Sequence, residues 1–179
     1  MLNRLLDRLE ETLIAGFMAL ATLIIFFAVV HRYTSSIGWV WQYTRHIEVN
    51  WAQEACIYLF IWMAKFGAAY GVRTGIHVGV DVLVRKLDGA KQRFFIVFSL
   101  LSGAFFTAVI ALLGTRFVLH IGELGQVSPD LGMPMWIVYL AIPLGSGLMC
   151  YRFVQVLLAY AQGQPLPGHH YGDPGEIPE

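Results

Sequence analysis

Residues Trp51 to Asp81 read WAQEACIYLFIWMAKFGAAYGVRTGIHVGVD. The stretch is long and apolar enough for a membrane helix, yet it carries Glu54 and Lys65 and runs out through Arg73, Gly75, His77 and Asp81. An ionised side chain at the centre of a membrane helix costs roughly 3 kcal/mol on insertion scales, so such charges face a protein partner, a wet cavity or the headgroups. A helix that did no more than anchor the chain in lipid would need none of them.

The surrounding composition supports a membrane reading. Of 179 residues, 57% are hydrophobic and 13% charged, too apolar for an ordinary soluble domain. Four runs carry few or no charges: about 12–30, 49–72, 94–115 and 131–151. Each is roughly 20 residues, which at about 1.5 Å per residue matches a hydrocarbon core of about 30 Å. Lipid offers no partner to open backbone groups, so runs of this length form helices. Leu2, Leu5, Leu6, Leu9 and Leu13 recur at helical spacing among polar residues, predicting an amphipathic helix on the membrane surface before the first span. Ile76, Val80, Leu83, Val84 and Leu87 form a second apolar stripe, predicting an interfacial helix between spans two and three. The expected fold is therefore an all-α membrane protein, with a four-span domain over 1–161. The Pro- and Gly-rich residues 162–179 are expected to be a mobile cytoplasmic tail.

Net charge is zero, but its distribution sets an orientation. With a cytoplasmic N-terminus, Arg4, Arg8, Arg73, Arg85, Lys86, Lys91, Arg93 and Arg152 fall inside, and Arg32, Arg45 and Arg116 outside. Both termini are expected in the cytoplasm. Trp39, Trp41 and Tyr43 place the first outer loop at the headgroups. Cys56 and Cys150 fall near opposite faces of the bilayer, too far apart for a disulfide.

Small residues are spaced for close helix packing: Gly67, Gly71 and Gly75 in the second span, and Ser99, Gly103, Thr107, Ala111 and Thr115 in the third. They could meet helices of this chain or of another subunit. Pro143 predicts a kink that frees the carbonyl of Tyr139.

No catalytic, cofactor or metal site is expected. His31, His46 and His120 lie at or beyond helix ends, where a haem held by paired imidazoles is disfavoured. Glu54 has two readings: a reversibly ionising group of a self-contained cation-coupled exporter, or a structural carboxylate near the outer surface. The second is favoured. Lys65, eleven residues on, stands about 16 Å from Glu54 along the axis and cannot pair with it. Its candidate partners are Glu10, Glu11, a carboxylate on another protein, or lipid phosphate.

The order Trp51-x-x-Glu54, Trp62, Gly67-Ala68-Ala69, Arg73-x-Gly75-x-His77 and Asp81 resembles the small membrane subunit of tripartite ATP-independent periplasmic (TRAP) transporters, the DctQ-like family. Ser128-Pro129-x-Leu131-Gly132-x-Pro134-x-Trp136-x-x-Tyr139-x-x-x-Pro143-x-Gly145 matches that family at the start of the fourth span. The resemblance implies a bacterial inner-membrane subunit that is not an enzyme. Its implied partners are a large TRAP membrane subunit, which carries the substrate and ion sites, and a periplasmic solute-binding protein; no nucleic acid is expected. The implied work is scaffolding and docking during uptake of an organic acid. Arg45, Glu48 and Glu123 are the outer-loop candidates for docking. An exporter using Glu54, or a haem or quinone anchor of a respiratory complex, remain the alternatives.

Overall fold

A computed structural model describes residues 2–37, 44, 48–75, 89–164 and 166. Within them run α1 (Leu2–Thr34), α2 (Trp51–Thr74), α3 (Gly89–Leu124), the short α4 (Met135–Tyr139) and α5 (Ala141–Ala161). Among the described residues there is no strand, only an isolated bridge between Val127 and Pro134. Four segments are long and apolar enough to cross a membrane: Leu6–Thr34, Trp51–Thr74, Lys91–Leu124 and Met135–Ala161. The predicted interfacial helix, with His77 and Asp81, lies outside the described residues, as do Trp39, Trp41, Tyr43, Arg45 and nearly all of the tail.

At three boundaries the difference from the sequence reading has a physical reason. The N-terminal amphipathic segment does not turn before entering the membrane; it forms the first turns of α1, a single 33-residue helix about 50 Å long. Leu, Arg and Glu are all strong helix formers, so nothing there ends the helix. At the other side, α3 continues past Thr115 through Arg116, His120 and Glu123, because charge ends a span without ending a helix, and it stops where Gly125 takes a positive φ of 62°. The fourth span begins at Met135 rather than Leu131, since Pro134 occupies the N-cap and residues 126–134 fold back on themselves. Pro143 has no N–H to offer Tyr139, and the helix is interrupted at Leu140, between α4 and α5.

The helices form an open row. α1 packs on α2, α2 on α5, and α5 on α3, while α1 meets neither α3 nor α5 along its backbone. At the α1–α2 seam Ala21, Ala52 and Cys56 are buried, and the Cys56 thiol lies 3.4 Å from the carbonyl of Ala21. At the α3–α5 seam the ring of Phe153 sits against Gly103, and Ile142 with Pro143 against Gly114. A Cβ at Gly103 would stand 2.8 Å from the Phe153 ring, and one at Gly114 2.8 Å from Ile142. This seam follows Gly103, Thr107, Gly114, Val118 and Ile121, a mixed spacing of three, four and seven. The predicted every-fourth-residue stripe drifts about 40° per step on a helix of 3.6 residues per turn, which carries Thr115 out to the surface.

The same drift divides the glycines of α2. A Cβ on Gly67 would meet open space, Gly71 is buried, and Gly75 caps the helix in a left-handed conformation (φ 75°) with its N–H bonded to the Gly71 carbonyl. No more than 28% of any span's apolar window is buried within the chain. Large side chains such as Phe26, Phe105 and Leu112 stand exposed on α1 and α3, as expected for surfaces that meet lipid or other membrane helices.

Candidate functional site

Polar chemistry collects at the two opposite ends of the helices, with Lys65 between them. At one end, in the first turn of α2, Glu54 faces the loop between α3 and α4. Its Oε2 accepts the backbone N–H groups of Asp130 (3.0 Å) and Leu131 (2.9 Å), and its Oε1 accepts the Tyr58 hydroxyl one turn further along α2. The loop is shaped to present those two donors. Ser128 N–H bonds to the Met133 carbonyl (2.9 Å), Gly132 N–H to the Ser128 carbonyl (3.1 Å), and the buried Ser128 hydroxyl accepts from Met133 N–H (3.3 Å). Gly132 closes the turn at φ 62°, which any side chain would strain. Asp130 and Leu131 sit at the tip, and the carboxylate of Glu54 receives their N–H groups. The two motifs read separately from the sequence therefore meet in space at Glu54.

Other members of those motifs fall around this contact. Trp51 and Trp136 are exposed at the starts of α2 and α4, and Tyr139 packs edge-on against Phe117 at 5.1 Å. Pro129 is exposed beside the buried Ser128. Glu48 and Glu123 are exposed at this same end. Glu48 also lines a cleft of about 630 Å³ between the ends of α1 and α2, shared with His31, Asn50 and Gln53.

The opposite end holds an ionic cluster that joins three helices. Arg152 on α5 is fully buried. Its guanidinium bonds Glu10 Oε1 through Nε (2.9 Å) and Nη2 (2.8 Å), Asp7 through Nη2 (2.8 Å) and Gln155 through Nη1 (2.9 Å). Arg73, in the last turn of α2, lies 2.7 Å from the same Asp7 oxygen and 2.8 Å from Glu11, with its guanidinium 4.9 Å from the centre of the Tyr70 ring. Asp7 thus bridges two arginines on different helices. Asp7, Glu10 and Glu11 share one face of α1 because residues three and four apart are helical neighbours. Glu10 is 2% exposed, so its charge is tolerated only because Arg152 is there. The sequence reading counted Arg73 and Arg152 as interfacial positive charges and did not find this cluster; the available signal was an arginine one residue past an apolar run.

Lys65 does not join either cluster. Glu10 and Glu11, its candidate partners within the chain, are held by Arg152 and Arg73. Its aliphatic stem lies instead on Gly145 of α5, so closely that a Cβ there would stand 2.5 Å from the Lys65 Cβ.

Residues 21–163 match the family of tripartite ATP-independent periplasmic transporters, DctQ component. The chain belongs to that family. It is 51% identical over 191 residues to the C4-dicarboxylate TRAP transporter small permease protein DctQ of Rhodobacter capsulatus, covering 94% of this chain and 83% of that protein. It is 32% identical over 177 residues to the protein of the same description in Pseudomonas aeruginosa, covering 88% and 84%. It is also 29% identical over 147 residues to the isethionate TRAP transporter permease protein DctMQ of Oleidesulfovibrio alaskensis, covering 81% of this chain but 22% of that longer protein. The DctQ family is a transporter component rather than an enzyme family, and it works with a large membrane subunit, to which it is fused in the DctMQ relative. The four spans and the family together make this chain a multi-pass inner-membrane protein.

Proposed function

We propose that this DctQ-family chain is a fixed brace for the large transport subunit and, at its Glu54 end, part of the docking surface for a periplasmic solute-binding protein. The cargo is an organic acid, and the names of the relatives favour a C4-dicarboxylate. In this reading both termini are cytoplasmic, the Arg152 cluster sits at the inner face, and Glu48 and Glu123 look into the periplasm.

One observation carries the proposal: Glu54, the carboxylate an exporter would need to load and unload, is engaged by the N–H groups of Asp130 and Leu131 and by Tyr58. A group that holds a loop in place is poorly suited to exchanging ions in every cycle. The open row supports the same reading, since α1 and α3 do not close around a path. It also disfavours a haem shared by His31 and His120, which stand on the two outermost helices.

The test is uptake by the reconstituted three-part system carrying Glu54→Gln, which removes the charge and keeps an acceptor oxygen. Ion dependence and stoichiometry should match the parent. Loss of ion coupling with assembly intact, or cation-driven flux by this chain alone in vesicles, would establish the exporter instead. A reporter fused after Glu179 should be active only in a format that senses the cytoplasm.

A further inference from the structure

Every carboxylate described on α1 and α2 has a protein partner: Glu54 holds the loop at Asp130 and Leu131, while Asp7, Glu10 and Glu11 hold Arg73 and Arg152. Lys65 is the exception among the charged groups of the α2 span, with no ion pair or hydrogen bond among the described residues. It lies fourteen residues from Trp51 and nine from Thr74, so about 21 Å and about 14 Å from the two ends of α2. Helical side chains lean toward the helix N-terminus, which turns Lys65 away from its nearer end and toward the middle of the bilayer. Snorkelling to headgroups is therefore opposed by both depth and direction.

The setting is specific. Gly145 leaves room for the lysine stem across the α2–α5 seam, with Cγ and Cδ each 3.3 Å from where a Cβ at 145 would be. Ile61 and Ala64 on α2 and Leu144 on α5, which flank the seam at this level, are exposed. A cation with no partner among the described residues, set within a span and rimmed by uncovered apolar residues, calls for an anion from outside them, and a second membrane subunit can supply one.

We infer that Lys65 is a docking cation for a carboxylate on a membrane helix of the large subunit, received at the α2–α5 seam. The inference rests on the proposed function, because that reading supplies the membrane partner. A buried carboxylate and a buried ammonium each make the other tolerable, so the contact would fix depth and register of the two subunits as well as hold them together.

The experiment purifies the complex through a tag on the large subunit, in nanodiscs of zwitterionic lipid, and measures how much small subunit is retained. Lys65→Arg should be retained like the parent. Lys65→Met should fall about tenfold or more, since it leaves the partner's carboxylate unpaired. Lys65→Glu should fall further, and exchange of one membrane-embedded Asp or Glu of the large subunit for Lys should restore it. The isolated small subunit carrying Lys65→Met should melt like the isolated parent, which separates a contact between subunits from a folding role.

Parental retention of Lys65→Met, or failure of every charge exchange to restore Lys65→Glu, overturns the inference. So does retention that tracks added anionic lipid, which would assign the amine to lipid phosphate, or equal destabilisation of the isolated chain. If the parent chain itself retains no large subunit, the proposed function fails and this inference falls with it.

Discussion

The two opposite ends of the helices solve the same problem in opposite ways. At the Glu54 end a single carboxylate is satisfied by neutral donors, two of them backbone N–H groups in a loop. At the Arg152 end charges are satisfied by charges, and α1, α2 and α5 are held by Asp7, Glu10, Glu11, Arg73 and Arg152 together. The difference lies in what remains when one member is removed. Neutral donors at a membrane surface can turn to water, whereas a buried ion left behind has nowhere to go. The first end positions a surface loop; the second decides whether three helices stay together.

The sharpest way to break that comparison is Arg152→Met. It strands the buried Glu10 and should cost roughly 3 to 5 kcal/mol, read as a large drop in the thermal melt of the purified subunit. Adding Glu10→Gln should recover part of the loss. A melt unchanged by Arg152→Met would mean that the cluster does not hold the row.

A smaller effect, about 1 to 3 kcal/mol, is expected for Gly145→Ala, because the new Cβ meets the Lys65 Cβ at 2.5 Å and a stem atom so close to the backbone cannot swing aside. Gly67→Ala, where the Cβ meets open space, serves as its control and should leave the isolated subunit unchanged. Equal melts for the two variants would show that α2 and α5 are not closely seated.

Glu54→Gln should lower the melt less than Gly145→Ala, since the amide keeps one acceptor for the loop. Hydrogen exchange at Asp130 and Leu131 should rise locally while the Arg152 end stays protected. Protection lost at both ends would mean that the ends are coupled. The smallest effect on stability belongs to Glu123→Lys and Arg45→Glu, which should leave the melt in place and slow encounter with the binding protein. The slowing should be clearer at low salt, because exposed charges are screened beyond about 10 Å at 0.1 M.

How much of this was legible in the sequence follows from range. Span number is set by runs of about twenty apolar residues, a local property, and all four were readable. The family motif was readable too, but its meaning was not: Glu54 and Leu131 are 77 residues apart, and nothing local says that a carboxylate will meet that N–H. Arg152 and Glu10, separated by 142 residues, were hidden for the same reason. The small-residue stripes were legible only as spacing: within the chain Gly103 meets Phe153 while Gly67 faces open space, a division that depends on which helices become neighbours. The order of the row, with the second span between the first and the fourth, depends on those long-range contacts and left no local trace.

The ionic cluster also imposes a timetable. Glu10 is synthesised well before Arg152, which follows it 142 positions later. At a synthesis rate of about 5 to 20 residues per second, the acidic face of α1 waits roughly 7 to 28 seconds for its main cation. During that interval the nascent chain is an unfinished electrostatic structure, open to quality-control proteases. A chain truncated at Leu140 should be degraded faster than one that includes α5, and equal half-lives would show that the early helices do not depend on the arginine still to come.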